Sequence, residues 1–312
     1  MKEKRFFLTL LLIAMVMAFV PWQPIALAQM PTYTAGVMAK SYDEKRTRAL
    51  EKFEEIIGRY LEERAEIKLR LKALTYPDLV KAIEKGNVDF IWGYGLVVSM
   101  ELVRKFPLIP LVAPTIGEDR RTVYKRLVVS AKDSVHSKDD LKGKRLTHVG
   151  DEAWNFELLL LKIWLAEKLG IKDIHEYLDL RVKQPDEGFF IPASKRGAVY
   201  SLIIKEADLA VAHEFEYITQ EKLTPHAIRE RTEILPFFDH SEGFLEAPVF
   251  IRRGLNPKDM DRLVRALMEM PNDPEGKQIL ISSKISGFIK VREEDYQGVK
   301  ALVLKKEKLG IQ

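Results

Sequence analysis

After an apolar leader, the spacing of apolar residues switches repeatedly between a period of two and a helical period, and each switch predicts a change of element. A first strand is expected over 33–39. A helix is expected over 43–62, where Ala49, Phe53, Ile56, Ile57, Tyr60 and Leu61 recur on one face. Over 66–74 the pattern turns to strict alternation, with Ile67, Leu69, Leu71 and Ala73 apolar and charges between them, as for a half-covered strand near a sheet edge. A helix over 76–85 ends at Gly86-Asn87, and the continuously apolar run 88–92 reads as a short strand buried on both faces.

The same phrase returns later. An apolar helix over 198–205 precedes the run Ala207-Asp208-Leu209-Ala210-Val211-Ala212, as the earlier helix precedes Val88-Asp89-Phe90-Ile91-Trp92. Two helix-then-buried-strand units predict two α/β lobes, each with its own sheet. The β-rich stretches 122–130 and 247–251 stand where the chain would cross to the second lobe and back, so they are the expected hinges. An amphipathic helix over 257–270 and the tail after it should return to the first lobe. The expected division is 29–123 plus 248–312 for lobe one and 124–247 for lobe two.

The leader itself has the layout of a secretory signal peptide. Lys2, Lys4 and Arg5 form a positive start, 6–20 is apolar, and Ala26-Leu27-Ala28 is a small-residue cleavage site, so the mature chain is expected to begin at Gln29. The 312-residue chain has a formal net charge of +4, which falls to +2 when Lys2, Glu3, Lys4 and Arg5 are lost with the leader, and its basic residues alternate with acids. No concentrated basic face suggests a nucleic-acid partner. Without cysteine there is no disulfide, thiolate metal site, cysteine nucleophile or lipid-acceptor cysteine. A soluble periplasmic protein, monomeric, is the expectation.

Candidate chemistry gathers at strand-to-helix turns, because ligands of open α/β sheets lie at the carboxyl ends of strands. In "VGDEAWNFELLLL" the strand Arg145–Val149 meets Gly150 and then a helix. A helix start attracts anions, yet this one carries Asp151 and Glu152 and is followed by Trp154, Asn155 and Phe156. Trp154 could stack on an apolar or cationic solute and Asn155 orient it; equally, an acid could cap the helix while the aromatics join the core. Lys40, Ser41 and Tyr42 follow the first strand, Tyr94 follows the buried strand, and Glu214 follows the later one. Lys195 opens a helix, and Phe238 and His240 precede the return crossover. These ten residues are the expected ligand contacts. The six histidines show no zinc spacing, and no HExxH helix, Gly-x-Ser-x-Gly elbow or phosphate loop occurs, so no catalytic residue, metal or cofactor is expected.

The order of "YPDLVKAIEKGNVDFIW", "YKRLVVSAKDSVHSKDDLKGKRL", "LAEKLGI", "KEADLAVAHE", "PVFIRRGLNP" and "NDPEGKQIL…GF" resembles the substrate-binding proteins of phosphate and phosphonate ABC importers. The resemblance implies a two-lobed type II periplasmic binding fold with two β-crossovers, a small molecule clamped between the lobes, and a membrane permease that receives it. The departures from the family pattern fall on the anion site. Where the family has a Ser-Thr-Ser run this chain has Trp154, Asn155 and Phe156, the Gly-Pro-x-x-Tyr pattern is lost at Tyr94–Val98, and a frequent histidine is replaced by Lys195. The expected function is therefore capture of a small molecule other than simple phosphate or phosphonate. Two alternatives stand beside it: a sensing or adaptor domain for a membrane signalling protein, and an enzyme on a binding-protein scaffold.

Overall fold

The computed structural model describes residues 30–38, 44–183, 197–238 and 243–311. Thirteen strands and ten α-helices lie among them. In chain order the strands are β1 (Thr32–Met38), β2 (Lys68–Leu74), β3 (Phe90–Trp92), β4 (Leu108–Thr115), β5 (Val123–Tyr124), β6 (Arg126–Ala131), β7 (Arg145–Val149), β8 (Asp179–Lys183), β9 (Leu209–His213), β10 (Thr232–Ile234), β11 (Phe244–Leu245), β12 (Val249–Arg252) and β13 (Gly287–Lys290). The helices are α1 (Glu44–Ala65), α2 (Tyr76–Glu84), α3 (Leu96–Lys105), α4 (Phe156–Leu169), α5 (Ala198–Ile203), α6 (Glu214–Leu223), α7 (Pro225–Arg231), α8 (Pro257–Glu269), α9 (Pro274–Ser282) and α10 (Gln297–Leu309).

Six strands form one sheet in the order β13-β4-β12-β3-β1-β2, and five form another in the order β10-β6-β9-β7-β8. The two buried runs lie in different sheets, Phe90–Trp92 in the first and Leu209–His213 in the second. In each sheet the helix-linked strands run parallel: β1 with β2 and β3, and β7 with β8 and β9. The remaining pairs are antiparallel. The fold is α/β, with two mixed sheets as the repeated helix-then-strand phrase predicts.

Strand β2 is an edge strand whose Leu69 and Leu71 are buried while Lys68, Arg70 and Lys72 are exposed. Lysine and arginine along such an edge discourage pairing with another chain. The crossovers are shorter than the sequence pattern suggests. The two chain passages between the sheets meet as an antiparallel ribbon in which Tyr124 pairs Phe244 and Val123 pairs Leu245. The apolar run Val249–Ile251, expected to be a crossover, already lies inside the six-stranded sheet between β3 and β4. An apolar run reports burial on both faces, and a strand at the centre of a sheet meets that condition better than a connecting ribbon does.

Two cores fill the six-stranded sheet's surroundings. One packs Ile57, Tyr60 and Leu61 of α1 and Leu263 and Leu267 of α8 on one face of the sheet. The second is continuous from α2 and α3 through Phe156–Leu165 of α4 to Val299 and Val303 of α10. Helix α4 has buried residues around its whole circumference because the five-stranded sheet lies on one side and α10 on another. A helix of this kind cannot show a clean amphipathic stripe. A third, smaller core lies under α5 and α7. The tail helix α10 packs against both α3 and α4.

Candidate functional site

Parallel strands bring their carboxyl ends to one edge of each sheet, and the turns that leave those ends hold the candidate residues. At the end of β7, Gly150 adopts φ +83°, a left-handed conformation that glycine takes without steric cost. The turn then runs through one short 3-10 turn, Glu152–Trp154, before α4 begins at Phe156. Asn155 is the N-cap of α4. Its Oδ1 accepts from the Leu158 amide at 2.6 Å, and its Nδ2 donates to the Val149 carbonyl at 2.8 Å. Both ends of the side chain are thus used in joining strand to helix.

The two acids of this turn face away from each other's role. Asp151 accepts from the Ala153 amide at 3.0 Å. The Glu152 carboxylate receives Lys162 Nζ at 2.7 Å and His175 Nε2 at 3.0 Å. Burial tends to raise the Glu152 pKa, but Lys162 and His175 outweigh it, so the carboxyl is held below its usual range. Beneath them His148 is fully buried on β7 with no hydrogen-bond partner for either ring nitrogen, and burial lowers its pKa. Trp154 lies half-buried with its ring 4.7 Å from that of Tyr76 on α2, and Phe156 is buried edge-on to Phe244 at 5.0 Å.

At the end of β9 the chain opens α6 with three polar side chains in different roles. His213 Nδ1 accepts from the Phe215 amide at 3.0 Å. That nitrogen is therefore unprotonated, and the proton on Nε2 is donated to Glu246 Oε1 at 2.6 Å. Glu214 accepts from Arg121 Nη2 at 2.9 Å and from the Lys125 amide at 2.8 Å. Burial raises its pKa, and the Lys125 amide and Arg121 more than reverse that effect. Glu216 reaches to the start of α5, where it accepts from the Val199 amide at 3.2 Å. Burial, with Glu157 nearby, pushes its carboxyl up to about 7.

Around the crossover ribbon these turns converge on Arg126, whose side chain is 2% exposed. Its guanidinium donates to Glu246 at 3.1 Å and to the Tyr124 carbonyl at 2.9 Å, and its Nε stands 2.8 Å from Glu157. The guanidinium also lies over the Phe156 ring at 5.7 Å. Burial works against ionisation of Glu246, but His213 and Arg126 overcome it and hold the carboxyl down at about 2. Tyr296, just before α10, donates its hydroxyl to the Glu246 carbonyl at 2.8 Å. Glu246 therefore ties the return crossover to both β6 and β9 by its side chain and to the tail by its backbone.

Tyr94 is buried, with its hydroxyl donated to the Leu74 carbonyl at 3.1 Å. Phe238 is buried against Trp164, ring centroids 6.0 Å apart, in the core behind the five-stranded sheet rather than at the strand ends. Lys40, Ser41, Tyr42, Lys195 and His240 lie outside the described residues. Residues that pattern reading passed over include Tyr76, Arg126, Glu157, Glu216 and Glu246. Only Arg126 left a visible signal: an arginine at the head of the apolar run "RLVVSA" requires a buried acid partner. The His213 ring goes to Glu246 and not to its neighbour Glu214.

Among the described residues no helix is long and apolar enough to cross a membrane, and no group of three histidines or acids is arranged to hold a metal ion. A separate surface groove of about 470 Å³, lined by Glu51, Glu55, Arg59, Lys68 and Arg70, lies at the amino end of β2, away from the turns above.

The family model for ABC transporter, phosphonate, periplasmic substrate-binding proteins matches residues 41–296. No curated protein matches the sequence. Among solved structures, a binding protein component of an ABC phosphonate transporter from Pseudomonas aeruginosa superposes with a TM-score of 0.60 at 16% identity, covering 90% of this chain and 88% of that one. XAC2383 from Xanthomonas citri bound to ATP gives 0.62 at 15% identity, with 89% and 98% covered. PhnD1 from Prochlorococcus marinus in complex with methylphosphonate gives 0.61 at 14%, again with 89% and 98% covered.

Proposed function

Because the chain belongs to the periplasmic substrate-binding proteins of phosphonate ABC transporters, a class of solute binders rather than of enzymes, we propose that it captures a neutral or amine-bearing solute and not phosphate or a simple phosphonate. The solute is held between two lobes, 29–123 with 248–312 and 124–247, and passed to a membrane permease. The observation that carries this reading is that the chain's own side chains already occupy the amides that open the helices at the five-stranded sheet's strand ends: Asn155 on α4, Glu216 on α5 and His213 on α6. An anion entering there would have to displace these acceptors, and it would meet the carboxylates of Glu157, Glu214 and Glu246 against the cations of Arg121 and Arg126. Like charges at such range repel strongly in a partly buried setting.

The partner carboxylates have a further consequence. Glu152 and Glu214 are each satisfied by a cation of this chain, so an amine on the solute is read by residues other than these two, or by Glu214 after Arg121 lets go. Isothermal titration of the mature protein with phosphate, methylphosphonate and 2-aminoethylphosphonate is expected to show nothing tighter than about 1 mM, which is weak on the affinity scale. Native mass spectrometry of freshly purified protein should show a copurified species that carries no phosphorus. Micromolar binding of any of the three titrants would overturn the proposal and return the chain to phosphonate capture.

A further inference from the structure

The contact between Trp154 and Tyr76 joins the turn after β7 of the five-stranded sheet to the helix between β2 and β3 of the six-stranded one. The rings are 4.7 Å apart at 40°. Beside them the Trp154 carbonyl comes so near Gly95, at the head of α3, that a Cβ there would stand 3.6 Å from its oxygen. The Tyr76 ring is fixed from its own side, with Lys105 Nζ donating to the hydroxyl at 3.2 Å and standing 5.7 Å from the ring centroid. On the far side of this contact α10 reaches both bodies. Glu307 receives Arg104 of α3 through two hydrogen bonds, at 2.6 and 3.1 Å, and Lys305 pairs with Glu167 of α4 at 2.5 Å.

We infer that Trp154 and Tyr76 are an interlobe latch, positioning residues that hold the two bodies closed in the absence of solute and set affinity through the closure equilibrium rather than by touching the solute. The inference rests on the reading of capture between two lobes. Exposed ion pairs such as Arg104–Glu307 contribute little, whereas two half-buried aromatic rings in contact contribute through the area each covers on the other and through ring geometry. A protein that spends most of its time closed gives up apparent affinity for a solute that must enter an open form, and a weaker latch restores it.

The test needs no solute. Small-angle scattering of the mature chain and of Trp154→Ala, Tyr76→Ala, the double variant and Trp154→Phe compares their radii of gyration in buffer, with far-ultraviolet circular dichroism confirming that each is folded. The latch predicts a larger radius in both alanine variants by the same amount, no further increase in the double variant, and a wild-type radius in Trp154→Phe. Should Trp154→Ala fail to fold, Tyr76→Ala decides alone. A wild-type radius in Tyr76→Ala, or a wild-type chain as extended as the variants, overturns the latch. If no solute copurifies, the capture reading is in question while the scattering result still stands or falls by itself.

Discussion

Arg126 and Glu246, 120 positions apart in the chain, meet at 3.1 Å beneath the ribbon that carries the polypeptide between its two sheets. The guanidinium is shared with Glu157, and the carboxylate with His213. Removing either member leaves the others with unmatched charge in a place that water hardly reaches. Replacing Arg126 with methionine strands two acids, and breaking a buried pair from one side costs about 3–5 kcal/mol. Urea unfolding of Arg126→Met should show a loss of that order; a loss under 1 kcal/mol would mean the acids relax to solvent.

The same network sets an acid limit. The Glu246 carboxyl sits at about 2 in the folded chain against an ordinary 4.5, so the folded state binds fewer protons than the unfolded one across that interval. Its contribution is fully present above pH 4.5 and is lost as the pH falls toward 2. Melting curves of wild type and Glu246→Gln should therefore converge at low pH and separate above pH 4.5. Parallel curves would remove Glu246 from the account.

His148 predicts a second slope at higher pH. Its folded pKa lies below the ordinary 6.5, because burial disfavours the charged ring. The unfolded chain takes up the proton first, so stability is present above pH 6.5 and declines as the pH drops below it. His148→Leu keeps the apolar surroundings of a fully buried position and removes the titration. The variant should lose the slope just below pH 6.5 that wild type retains, as followed by chemical denaturation at closely spaced pH values.

Export is tested by mass alone. The positive start, the apolar run and Ala26-Leu27-Ala28 predict cleavage after Ala28, and an intact mass beginning at Gln29 is the expected result. A periplasmic fraction that retains 1–28 would show the leader to be an anchor.

What the sequence made legible follows the range of each interaction. The alternation of Leu69 and Leu71 with Lys68, Arg70 and Lys72 placed β2 at an edge because side-chain direction in a strand is a local property. The repeated helix-then-strand phrase separated two sheets for the same reason. The return crossover was mislaid because Val249–Ile251 and Phe244–Leu245 differ in which sheet they join, which no local pattern encodes. At the turn after β7 an acid was expected to cap the helix, but Asp151 caps only the short 3-10 turn and Asn155 caps α4, because the 3-10 turn delays the start of the helix by one turn. The Arg126–Glu246–His213 network was invisible, since its members come from three separate strand ends and each looks like an ordinary charged or polar residue where it stands.

Gly197 and Glu216 give the most local prediction. Gly197 has φ −60°, a value any residue accepts, so backbone strain is not what a side chain would meet there. It would meet Glu216, because a Cβ on residue 197 would fall 1.9 Å from Oε1 and 2.4 Å from Cδ. Gly197→Ala must expel that carboxyl from the Val199 amide, and a partly buried amide left without its acceptor costs about 1–3 kcal/mol. The Glu216 charge has its own pH signature: a folded pKa raised to about 7 from 4.5 means that its contribution is present below pH 4.5 and is lost as the pH rises through 7. Glu216→Gln keeps an acceptor for Val199 without the charge, so it should equal wild type near pH 4.5 and exceed it in melting temperature above pH 7. Combining Gly197→Ala with Glu216→Ala then separates the two effects. If the contact is the cause, the alanine at 197 costs much less once Glu216 has been removed, and the pair couples in a double-mutant cycle at pH 6. If Gly197→Ala costs the same in both backgrounds, the glycine is required for another reason and the carboxylate does not cap α5.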